Sequence, residues 1–157
     1  MFANLLAIEY ARQLSRIEVQ TPQHVKEKTM LDPQERNKHN VIAFYDLMFN
    51  QDKPAEAVKK YVGATYIQHN PHVEDGPEGF ISYFERMARD YPGKCVAFKR
   101  VLADGDFVVL HCHQVWPGDL EYAGIDIFRL DDEGRILEHW DALQVITETS
   151  NNENGMF

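Results

Sequence analysis

Apolar side chains recur along this chain with two different periods, and the switch between them divides it into a helical half and a stranded half. Ala3, Leu6, Tyr10, Leu14 and Ile17 follow a three/four spacing, which predicts a helix over residues 2–18 with one buried stripe. The polar segment VQTPQHVKEKT after it reads as a linker. Asp32-Pro33-Gln34-Glu35 then has the form of a helix start: a carboxylate to cap, proline in the first turn, and Glu35 three residues past the cap. Val41, Phe44, Tyr45 and Met48 make its stripe, and Asn50-Gln51-Asp52 closes it. Pro54 opens a third helix through Ala57, Val58 and Tyr61 to Gly63. Residues 65–69 are β-rich, short and stopped by Asn70-Pro71. A fourth helix begins at Gly76-Pro77, carries Phe80, Phe84, Met87 and Tyr91, and halts at Pro92-Gly93.

Beyond that point the alternation is two. Segments 94–103, 107–116, 121–130 and 135–147 are separated by Asp104-Gly105-Asp106, Pro117-Gly118-Asp119 and Asp131-Asp132-Glu133-Gly134, lengths that suit hairpins. They predict an antiparallel meander. Helices this few cannot cover both faces of such a sheet, so an α+β design with helices on one side is expected. Long strands twist, and a curved sheet with helices across its concave side leaves a cone-shaped cavity. The expected organisation is an N-terminal helical arm and linker (1–31), a domain over 32–148, and a polar, frayed tail (149–157). The arm's apolar stripe is expected to pack on the pocket mouth or on a partner subunit.

Composition narrows the picture. With 25 acidic against 16 basic side chains and a formal charge of −9, the surface repels phosphate backbones; Lys99-Arg100 is the nearest approach to a basic patch. Nucleic acid is therefore not an expected partner. No apolar run approaches the ~20 residues that cross a bilayer, and Glu9 interrupts the apolar start, so neither a membrane segment nor a secretory signal is read. Cys95 and Cys112 are too few for a disulfide framework, and both are expected as buried thiols in strands of a cytoplasmic protein.

Residues two apart on a strand share a face. His111 and His113 therefore point together, away from Leu110 and Cys112. Asp126, in the middle of YAGIDIFRL, shares a face with Gly124, Phe128 and Leu130, and a carboxylate among so many apolar groups needs a reason. Asp141 has the parity of His139 and Leu137, and follows Trp140; His69 ends the short strand. The expectation is that Asp126, His111 and His113 converge in the cavity. Each has a blander alternative: solvent-facing histidines, an Asp126 ion pair with Arg100 or Arg129, an edge carboxylate at Asp141, and a turn imidazole at His69. Phe44, Phe84 and Phe128 are expected as walls.

Three segments, ATYIQHNPHVEDGPEGF, VVLHCHQVW and GIDIFRLDDEGRILEHWDALQ, resemble the SnoaL-like branch of the NTF2-like superfamily, which includes aldol-condensing polyketide cyclases; the resemblance spans residues 34–146. It implies a cone-shaped α+β fold and a homodimer through the outer sheet face. It also implies Asp126 as general acid/base with His113 beside it, and His111 lining the pocket. The superfamily's epoxide hydrolases use a carboxylate–arginine–carboxylate set; Asp141 matches one carboxylate, but His111 and His113 stand where the arginine and its neighbour would be.

Proton removal next to a carbonyl needs a base and a group to stabilise the enolate oxygen. Burial among apolar groups disfavours a carboxylate's charged form and makes it a better base. The expected protein is thus an enzyme using no metal or organic cofactor. It would perform aldol-type cyclisation or isomerisation on a small apolar carbonyl compound, with Asp126, His113 and His69 as the catalytic set. His111, Asp141, Phe44, Phe84, Phe128 and Trp140 would bind substrate. Three alternatives stand beside it: a dimeric ligand-binding protein without turnover, an epoxide-hydrolase-like variant, and a metal site built from His69, His111 and His113 with Asp126 or Asp141. Whether Asp126 or Asp141 is the working carboxylate stays open.

Overall fold

The computed structural model describes residues 32–157, so the predicted N-terminal helix lies outside the described residues. Helix α1 (Pro33–Tyr45) runs into one π-helical turn, Asp46–Asn50. Proline stands in its first turn as expected, but the Asp32 side chain makes no capping hydrogen bond. Helix α2 (Pro54–Tyr61) passes directly into strand β1 (Val62–Gln68), which starts three residues earlier than its β-rich core at Thr65 suggests. Helix α3 (Gly76–Asp90) precedes β2 (Cys95–Asp104), β3 (Phe107–Val115), β4 (Glu121–Leu130) and β5 (Ile136–Val145).

The strands form one curved, unclosed sheet in the order β1-β5-β4-β3-β2. The last four form the meander, while β1 lies parallel to β5 at the edge, opposite Glu138 and His139. This is the α+β arrangement expected, with the helices packed over one face. The burial of alternate residues shows which face is covered: Val108, Leu110, Cys112 and Gln114 on β3 are buried, as are Gly124, Asp126, Phe128 and Leu130 on β4. Phe44, Val41 and Phe80 from the helices are fully enclosed against them. Phe44 and Phe80 stack at 5.3 Å, and Phe128 meets Phe44 edge-on at 6.3 Å.

Two local features of the sheet shape its concave face. A bulge on β5 breaks register between the Leu130–Ile136 and Arg129–Glu138 pairs. Ile136 and His139, three apart, are therefore both buried, and strict alternation fails there. At Gly124 side chains of the two neighbouring strands fill the space so closely that a Cβ would lie 2.9 Å from Cys112 Sγ and 3.1 Å from Leu143 Cδ2. Any other residue would push against both neighbouring strands. Cys112 is buried as expected, but Cys95 is exposed at the start of the edge strand β2.

Candidate functional site

Register decides which predicted residues meet. Val115 faces Glu121 across the β3–β4 hairpin, so Leu110 pairs with Asp126, His111 with Ile125 and His113 with Ala123. His111 and His113 do share a face, but it is the outer one, and Asp126 projects from the other. The expected convergence is corrected: parity within a strand says which side chains go together, while the connection of residues 116–120 sets which set opposes which. On the outer face His111 Nδ1 lies 2.9 Å from Arg100, His113 Nε2 lies 2.6 Å from Glu121, and the Phe157 ring packs over both imidazoles. His69 also points outward. It stacks on Trp140 at 4.7 Å and contacts Glu138 at 2.9 Å, so neither His69 nor Trp140 reaches the concave side. The expected triple-histidine metal set is dispersed accordingly.

Asp126 is enclosed, at 0% exposure, on the concave face. Among the described residues it makes no ion pair with an arginine: Arg129 pairs with Glu138 and Arg100 contacts His111. Its partners come from three elements. The Tyr45 hydroxyl, at the end of α1, donates to Oδ1; Cys112 Sγ donates to Oδ2 at 3.1 Å; His139 Nε2 lies 3.2 Å from Oδ1. Tyr45 Oη and His139 Nε2 are themselves 3.2 Å apart, closing a triangle. Burial, and then the Asp126 carboxylate, hold the Tyr45 phenol well above its ordinary range. The same two causes push the Cys112 thiol far up. Both side chains therefore remain protonated donors.

Directly opposite Asp126 on β5 stands Asp141. Asn70 donates to its Oδ2 at 2.6 Å. Asp126, His139 and Asp141 each bring a ligand-type atom within 4.8 Å of the other two, and these are suitable kinds of donor for a divalent cation. Hydrogen bonds already engage both oxygens of Asp126 and both ring nitrogens of His139, so a cation there would have to displace them.

Beside this cluster is a cavity of about 30 Å³. Tyr45, Gln68, Asn70, Gln114, His139 and Asp141 form its polar wall; Phe49, Val73, Phe80, Phe84 and Met87 face them. Tyr83, Trp116, Asn70, Asp141 and Leu143 are shared with an outer depression of about 470 Å³ that adds His72 and Tyr122. Of the predicted walls, Phe84 lines the cavity, whereas Phe44 and Phe128 lie behind it in the core. Asp126 is also behind the wall, and Asp141 is the carboxylate that reaches both spaces.

Sequence reasoning reads Tyr45 as core and does not single out His139, Gln68, Asn70 or Gln114. Two signals are present. His139 has the parity of Asp141, and Gln114 is a polar residue in the buried set of β3. The helical stripe places Tyr45 inward without revealing that its hydroxyl ends at a carboxylate.

The fold has solved counterparts. TsrD from Streptomyces laurentii superposes with a TM-score of 0.60 at 21% identity, covering 73% of this chain and 91% of that one. A candidate polyketide cyclase from Bacillus cereus gives 0.61 at 19% identity, covering 74% and 88%. An LEH-like epoxide hydrolase from M. tuberculosis gives 0.59 at 21% identity, covering 72% and 86%. No curated protein matches the sequence significantly. Residues 41–139 match the model of the SnoaL-like domain, and on that match the chain belongs to the SnoaL-like family of the NTF2-like superfamily.

Proposed function

We propose that this protein is an acid/base enzyme acting on a small, largely apolar carbonyl compound, abstracting a proton next to the carbonyl in an aldol-type cyclisation or an isomerisation. The observation that carries this reading is the buried Tyr45–Asp126–His139 triangle set against a half-greasy cavity that Asp141 also enters.

Access divides the roles. Asp141, held by Asn70, takes the proton as the substrate C–H bond breaks, and the electron pair moves onto the carbonyl oxygen. His139 lines the cavity, and the proton between its Nε2 and Asp126 turns toward that oxygen as charge builds on it, the interaction on which enolate formation depends; Tyr45, whose one O–H goes to Asp126, forms the wall beside it. Asp126 touches no substrate in this scheme. It acts through Tyr45 and His139 as a positioning residue, because both its oxygens are already occupied. The inner cavity admits only the reacting end of a substrate, and the rest occupies the outer depression among Tyr83, Trp116 and Tyr122.

The test is exchange of the α-proton in deuterated water across a panel of apolar ketones and β-dicarbonyl compounds, followed by proton NMR. We expect exchange with the wild type and a loss of about 10²–10⁴-fold in Asp141→Asn, the usual worth of a positioned base. A compound that binds and is recovered without exchange or conversion would replace this reading with that of a ligand-binding protein.

One observation favours a second reading. His139 lies within 4.8 Å of two carboxylates, and epoxide opening needs one group to take a proton from water while another protonates the epoxide oxygen. Diol formation from a small apolar epoxide, abolished in Asp141→Asn, is the outcome that supports it.

A further inference from the structure

Gln68 and His139 are register partners on the parallel strands β1 and β5, so their side chains leave the same face of the sheet side by side. Gln68 Oε1 receives the backbone N–H groups of His69 and Asn70, each at 2.9 Å. Two donors aimed at one atom fix the orientation of the amide: Oε1 must be the carbonyl oxygen, since an NH₂ group there would oppose both. The other end agrees, with Nε2 donating to Tyr66 Oη at 3.1 Å. His139 Nδ1 lies 3.1 Å from the same Oε1, and an oxygen that can only accept requires a proton on the nitrogen facing it.

From this we infer that Gln68 is a positioning residue for the acid/base reaction proposed above, holding His139 as the Nδ1–H tautomer so that Nε2 becomes the nitrogen that exchanges a proton with Asp126. Counting protons gives the consequence for the triangle. Tyr45 brings one, given to Asp126 Oδ1. With Nδ1 committed to Gln68, a neutral His139 presents a lone pair at Nε2 to Oδ1 across 3.2 Å, an arrangement that is repulsive unless a further proton lies between them. That proton sits on Nε2 or on the carboxylate, and it is the mobile one. Had Nδ1 lacked an acceptor, the neutral ring would place its single proton on Nε2, pointing at Asp126, and the site would hold one exchangeable proton fewer. The relevance to turnover rests on the proposed function; the tautomer itself does not.

Long-range proton–nitrogen correlation NMR of the ligand-free, full-length protein reads the tautomer directly. The expected wild-type spectrum has the His139 Nδ1 resonance in the protonated region. Gln68→Met removes the acceptor and is expected to move Nδ1 into the unprotonated region, whereas Gln68→Glu keeps an acceptor oxygen and restores the wild-type pattern. An unprotonated Nδ1 in the wild type overturns the inference, as does an unchanged tautomer in a folded Gln68→Met. If the methionine variant does not fold, the wild-type and Gln68→Glu spectra decide. These measurements need no substrate, so failure of the carbonyl-exchange assay leaves the tautomer result standing. A correct tautomer with no exchange refutes the reaction and not the lock.

Discussion

At the scale of single residues, the molecule concentrates its costliest groups at one point. A carboxylate at 0% exposure survives only if its lone pairs are filled. Here a phenol, a thiol and an imidazole from three different elements fill them. Tyr45→Phe leaves that carboxylate without its hydroxyl donor. We expect a loss of about 1–3 kcal/mol in urea denaturation, the cost of an unsatisfied buried acceptor. Asp126→Asn removes the negative charge that disfavours the Tyr45 phenolate, so that phenol should titrate at lower pH than in the wild type by ultraviolet difference spectroscopy. It should still titrate above ordinary tyrosine, because burial is the larger cause of its shift and is unchanged. An identical titration in both proteins would mean that the hydroxyl does not face Asp126 in solution.

At the scale of elements, the edge formed by β1 and β5 has an electrostatic signature. Hydrogen bonding from His69, and then Arg129, lowers the Glu138 carboxyl below its ordinary value of 4.5. A carboxylate lowered on folding contributes stability that is complete above its unfolded value and is lost as pH falls through its folded one. Stability of the wild type should therefore decline more steeply below about pH 4.5 than that of Glu138→Gln, measured as the urea midpoint at a series of acidic pH values. The β strands are legible in the sequence because alternation and hairpin turns are local signals. The facing of strands is not. His111 and His113 fall on the outer side because register depends on how residues 116–120 turn, which periodicity does not encode. The bulge that brings His139 inward beside Ile136 is equally silent in a two-residue count. Asp126 and Asp141 are legible as candidates because charge in an apolar strand is conspicuous. Gln68 is not, since its role comes from a parallel partner 71 positions away.

At the scale of the whole molecule, the sheet has one face sealed by helices and one that keeps apolar groups in solvent. Leu102 is 63% and Ile125 42% exposed on the outer side, with Phe107 also exposed. No helix among the described residues is long and apolar enough to cross a membrane. We propose that a second copy of the chain covers the outer face. Sedimentation velocity should then give a dimer for the wild type and a monomer for Ile125→Asp; a monomeric wild type would show that the face is left bare. The two neutral phenols at the core, Tyr45 and Tyr66, set an alkaline limit. Both are raised on folding, chiefly by burial, so their contribution is complete below the unfolded value of 10.0 and is lost as pH climbs past it. Alkaline unfolding should accordingly move to higher pH in Tyr66→Phe. The placement of β1 has one more implication. It is a rim strand with a laddered neighbour on a single side, and rim strands are where sheets peel first. Peeling it withdraws the amide oxygen that latches the imidazole, so the protonation pattern at the centre of the protein is tethered to its least anchored ribbon. Amide deuteration at Gln68–Asn70 and the His139 ring signals should therefore change together.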